Sequence, residues 1–146
     1  MRDKLYLILA APTETTKEIR RLMEQMDTLA WSMIPGAIRY DTVRVQTSPQ
    51  DRMAETMGDI DEAQRKLQEL DKRRRREQET IRELCMRCID LDERERYVIL
   101  KRYLHRNKWQ DIFDGMALLF EEELTDRRIF QIHSSALDKL DAFLGP

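Results

Sequence analysis

Thr125-Asp126-Arg127-Arg128-Ile129-Phe130-Gln131-Ile132-His133-Ser134-Ser135-Ala136-Leu137-Asp138-Lys139-Leu140 sets Ile129, Ile132, Ala136, Leu137 and Leu140 on one helical face. Residues spaced by three and four share a side of an α-helix, so the segment predicts an amphipathic helix with one buried stripe. Thr125 is the expected N-cap, and Asp126 suits the positive end of the helix dipole. Arg127, Arg128, Gln131 and Ser135 fall off the stripe in the N-terminal half, the part of a major-groove helix that reaches base edges. Arg pairs with guanine and Gln with adenine, so this face has readout chemistry. The same pattern also suits an ordinary bundle helix, and the neighbouring segments decide between the two.

Upstream, Leu91 to Leu104 reads as a helix, with Asp92 as N-cap, Glu93 and Glu95 in the first turn, and Val98, Ile99 and Tyr103 as apolar positions. A polar break, His105-Arg106-Asn107-Lys108, precedes Trp109-Gln110-Asp111-Ile112-Phe113-Asp114, a short helix whose Trp109, Ile112 and Phe113 are placed to pack under the third. Helix, short helix and recognition helix follow in order.

With these residues in view, the last third of the chain resembles region four of the bacterial sigma-70 factors and the phage-type transcription regulators that share it. The likeness runs through Leu91, Arg94-Glu95, Val98, Arg102-Tyr103, Trp109 to Ile112, Thr125, Arg128-Ile129, Gln131-Ile132, Ala136-Leu137 and Lys139-Leu140. The layout of the whole chain, and phrases such as Tyr40-Asp41-Thr42-Val43-Arg44-Val45-Gln46-Thr47-Ser48-Pro49, are similar to small phage proteins that control late genes. The resemblance implies a helix-turn-helix, double-stranded DNA as ligand, RNA polymerase as a further partner and a site in the bacterial cytoplasm. It implies DNA contact by Arg127, Arg128, Gln131 and Ser135, joined by Arg106 and Lys108.

Two features depart from the family. Its tight turn between second and third helices is replaced by the longer, apolar-rich Gly115 to Leu124, which is expected to pack as added helical turn. On the reading face, Asp126, Arg127, Phe130 and Ser135 stand where promoter-reading sigma factors usually have Arg, Glu, Arg and Lys, so their promoter preference does not transfer. Nothing resembles the sigma regions that melt promoters.

Charge bears on the same question. Residues 90–146 hold 9 Lys and Arg against 12 Asp and Glu, a net −3, whereas residues 1–89 hold 17 against 16, a net +1. Phosphate binding draws on cations, so one copy is expected to bind DNA weakly and salt-sensitively. A second contact, from a homo-oligomer or RNA polymerase, would supply the remaining affinity.

The N-terminal half predicts a long helical hairpin or coiled coil. Ile19, Leu22, Met23, Met26, Leu29, Ala30 and Met33 make a stripe from Thr13 or Thr15 onward, with Thr15 and Glu18 as a capping box. Pro35-Gly36 ends it, residues 34–48 connect, with Val43 and Val45 as a short extended stretch, and Pro49 opens a second helix with Ser48 as cap. Its stripe is Met53, Met57, Ile60, Ala63, Leu67 and Leu70, resuming at Ile81, Leu84, Cys85, Cys88 and Leu91. Between them Asp71 to Thr80 has no apolar residue and reads as exposed helix held by pairs such as Glu69 with Arg73, Arg73 with Glu77 and Arg75 with Glu79. The sharper reading of Lys72 to Arg76 is a patch that contacts phosphate. Leu5 to Ala11, apolar after Arg2 and Lys4, faintly matches a signal peptide but is short and meets Pro12, so it is expected to pack on the hairpin.

Cys85-x-x-Cys88 lacks a second pair of ligands for a structural zinc, and its spacing sets both sulfurs on the apolar face, which predicts buried free thiols. His133 is a lone histidine at a helix boundary. With 4 Gly and no phosphate-binding glycine loop, nothing points to an enzyme or to a cofactor or metal. No run is long and apolar enough for a membrane span. The expected architecture is all-α, with residues 1–89 as helical hairpin and 90–146 as helix-turn-helix domain. A helical phage assembly or packaging adaptor, using the same helices for protein contacts, is the alternative.

Overall fold

The structure, a computed structural model, describes residues 2–33, 49–121 and 124–146. Among them the chain is all-helical: α1 spans Asp3–Ser32, α2 Pro49–Arg87, α3 Glu93–Ile99 with a π-helical turn at Leu100–Leu104, α4 Trp109–Phe120 and α5 Asp126–Leu144. The extended stretch expected at Val43 and Val45, the Ser48 cap and Glu122-Glu123 lie outside the described residues.

Residues Met1–Thr13 and Arg75–Pro146 form one compact unit, and Glu14–Arg74 another. The unit with the C-terminal helices therefore reaches beyond 90–146, and its core shows why. Leu5 and Leu9 of α1 are buried with Ile81, Leu84, Cys85 and Cys88 of the α2 end, with Leu91 and Ile99, and with Ala136, Leu137 and Leu140 of α5. A domain of about 55 residues makes a marginal core by itself, and the first turns of α1 supply the missing apolar surface. A second cluster, Val98, Ile112, Met116, Ile129 and Ile132, joins α3, α4 and α5.

Helix α1 begins ten residues or more before the expected Thr13 or Thr15, with Pro12 inside it. Proline removes one intrahelical donor, a cost of about 3 kcal/mol that burial of Leu5, Leu9 and Pro12 itself offsets. The expected Thr15–Glu18 capping box is accordingly absent. Thr15 is a buried mid-helix residue whose Oγ1 accepts from Arg73 Nη2 at 3.3 Å, and Glu18 pairs with the same guanidinium at 3.0 Å.

In the Glu14–Arg74 unit the seam holds Ile19 and Ala63, while Met23, Met53 and Met57 are exposed. Arg73 thus bridges α2 to α1, and Arg74 pairs with Asp71 at 2.8 Å. In the other unit, α2 ends where Arg96 of α3 donates to the Cys85 carbonyl at 3.1 Å, an acceptor of the last helical turn, and to the Cys88 carbonyl just beyond it at 3.4 Å. Both cysteines are free and buried, as their spacing predicts. Burial pushes the Cys85 thiol up to about 11.

Candidate nucleic-acid interface

Three elements set the position of α5. At its start Thr125 Oγ1 accepts from the Arg128 backbone N–H at 3.2 Å, the cap the sequence predicts. On one flank lies Glu95, a carboxylate only 3% exposed. Glu95 closes a capping box with Asp92 at the start of α3, and it also accepts from Ser135 Oγ at 3.1 Å and Lys139 Nζ at 2.6 Å. That hydrogen bond holds the Lys139 ammonium above its ordinary pKa against the opposing effect of desolvation. A buried carboxylate with this many donors locks α5 to α3, because any slide of the helix leaves a desolvated charge unpaired.

On the other flank the beginning of α4 meets α5 through rings. Trp109 packs edge-on against Phe130 at 4.8 Å and His133 at 4.9 Å, and Phe113 meets Phe130 at 5.7 Å. His133 Nε2 and the Tyr103 hydroxyl share a hydrogen bond of 2.8 Å. Desolvation first, then the Arg102 and Arg2 charges, lowers His133 to about 4, so its ring is neutral near pH 7. Arg102 lies over the Trp109 ring at 4.8 Å and donates to the Asn107 carbonyl at 3.2 Å, which fixes the turn into α4.

Within this frame Arg127, Arg128 and Gln131 are exposed, and Arg128 Nη1 donates to Gln131 Oε1 at 3.4 Å. Ser135 is exposed as well, and its hydroxyl donates to the Glu95 carboxylate on the α3 flank. Lys108 is exposed and is the N-cap residue of α4, one position before Trp109, so it borders the surface that carries Phe130. A lysine side chain has no acceptor for the first-turn N–H groups, which leaves that helix end suited to an anion. Arg106, also exposed, turns the chain toward it in the left-handed region at φ 55°.

The sequence places Phe130 on the outward face without showing the rings of α4 behind it, and it does not mark Glu95 as a clamp on α5. Glu95 reads as a first-turn dipole residue, and its partners lie 40 and 44 positions away. The apolar Gly115 to Leu124 segment carries α4 on to Phe120, with Met116 buried, and Glu121 ends it at φ 50°. Helices α4 and α5 are therefore separate elements, and α5 is not merged with α4.

The acidic neighbours are partly neutralised. Asp138 pairs with Arg2, and Glu95 with Lys139. Among the described residues, no group of three or more His, Cys, Asp or Glu is placed to hold a metal, and no helix is long and apolar enough to cross a membrane. Compared with protein families, characterised proteins and solved structures, the chain matches none.

Proposed function

We propose that the chain is a DNA-binding transcription regulator of phage or prophage genes, late genes being the expected targets, that reads duplex DNA through α5. One observation carries the reading: Arg127, Arg128 and Gln131 stand exposed on the N-terminal half of a helix anchored on both flanks. Pre-organisation of this kind lowers the entropy lost when side chains engage base edges. Lys108, Arg106 and the α4 N-terminus border that face and supply contacts to phosphate. The acidic balance of residues 90–146 keeps a single copy weak, so a second copy or RNA polymerase provides the further contact.

Fluorescence anisotropy on duplexes selected from a pool with a randomised core tests this directly. About four cationic contacts give a slope of log affinity against log salt of about −3 to −4. Arg128→Ala should cost about 1–3 kcal/mol and relax preference at one base pair, whereas Lys108→Ala should weaken all sequences alike. Failure of the pool to enrich any sequence would overturn the reading.

The adaptor reading keeps one observation of its own: adjacent Leu118 and Leu119, late in α4, are 82% and 64% exposed. Paired exposed leucines suit a protein contact. An adaptor would show no sequence-selective, salt-dependent binding, and Leu118→Glu would release its partner while leaving DNA binding unchanged.

A further inference from the structure

We propose that Phe130 is a specificity-determining residue that packs on the 5-methyl group of a thymine in the major groove; this rests on the DNA-binding reading above. Phe130 is 45% exposed although it stands on the stretch of α5 that packs against the rings of α4. The cluster of Val98, Ile112, Met116, Ile129 and Ile132 gathers Trp109 and Phe113 around it but leaves Phe130 outside. Its ring is nonetheless held edge-on by Trp109 at 4.8 Å and Phe113 at 5.7 Å. An aromatic ring fixed from behind and open in front has little rotamer freedom left to lose on binding.

Its neighbours name the occupant. Residues three and four apart adjoin on a helix surface, so Phe130 lies between Arg127 and Ser134, both exposed, with Gln131 beside them. A surface of cation, amide and hydroxyl interrupted by one ring matches an edge of polar groups interrupted by one apolar group. On the major-groove edges of the four base pairs, the thymine methyl is that group. Arg127 and Phe130 lie about one helical turn apart, which places the thymine within about two base steps of the base or phosphate that Arg127 contacts.

The test uses the full chain and the highest-affinity duplex selected from the randomised pool. Each thymine is replaced in turn by deoxyuridine, which removes only the methyl. One replacement should weaken binding about fourfold, the effect of losing one buried carbon. Phe130→Ala, checked for native helicity, should bind the two duplexes equally. Independently of any variant, 5-iododeoxyuridine at that position should photo-crosslink the wild-type protein at Phe130, located by mass spectrometry of the crosslinked peptide. A selected duplex that tolerates deoxyuridine everywhere, discrimination that survives Phe130→Ala, or a crosslink at another residue overturns the assignment and leaves the DNA-binding reading standing. Enrichment of no duplex overturns both.

Discussion

Gly115 offers the sharpest test of how α4 is seated. A methyl group built on it lies 1.9 Å from the Tyr97 hydroxyl oxygen and 3.1 Å from the ring carbon that bears it. Tyr97 has little room to withdraw, since its ring meets Phe120 edge-on at 5.9 Å and Lys101 sits over it at 5.7 Å. In an unobstructed helix, Ala is favoured over Gly by about 1 kcal/mol. Overpacking a rigid site costs about 1–3 kcal/mol or more, and so deep an overlap belongs at the upper end. Gly115→Ala should therefore destabilise by about 2 kcal/mol. In a Tyr97→Phe background the oxygen is gone and the closest remaining atom stands at 3.1 Å, so the same substitution should be nearly neutral. The double-mutant coupling is then about 2 kcal/mol. Urea unfolding read by Trp109 fluorescence, with Trp31→Phe to silence the other tryptophan, measures all four corners of the cycle. A Gly115→Ala protein more stable than wild type, or coupling below about 0.5 kcal/mol, would refute the packing argument.

Other outcomes follow from the same contacts. Lys139→Met strips the cation from a buried carboxylate and should cost about 3 kcal/mol, whereas Glu95→Gln frees a half-exposed lysine to solvent and should cost less; chemical denaturation ranks the two. His133 is held below its unfolded value, so the unfolded chain takes up its proton first, and stability should fall as pH drops from about 6.5 towards 4. Allowing for solvent screening the loss is about 2 kcal/mol, and unfolding of His133→Asn across that pH range should lack this component. With both thiols buried and Cys85 raised to about 11, a thiol reagent at pH 8 should label the protein only as fast as it unfolds.

How much of this was legible in the sequence depended on distance along the chain. The cap and stripe of α5 and the Asp92 start of α3 are written in consecutive residues, and both stand in the structure. The thiol burial at Cys85 and Cys88 was readable for the same reason, since a three-residue spacing fixes a helical face. Pro12 misled because its local effect, loss of a donor, is outweighed by the tertiary burial of Leu5 and Leu9, which no window around residue 12 contains. The α1 partners of Arg73 were hidden likewise: intrahelical candidates at spacing four are visible in the sequence, while Thr15 and Glu18, on another helix, are not. Ser135 is the clearest case at the candidate site, because a helical wheel shows it facing outward and only the fold of α3 reveals the Glu95 carboxylate waiting beside it.

The burial of Leu5 and Leu9 against Leu137 and Leu140 has a kinetic consequence. These partners are more than a hundred residues apart in the chain, so the loop between them must close before the first core can consolidate. During synthesis α1 is made early and its apolar face waits until the ribosome has released α5. The seat of α5 is thus completed late, and a shortened chain starting at residue 90 would carry α5 without the two leucines that are buried with its Leu137 and Leu140.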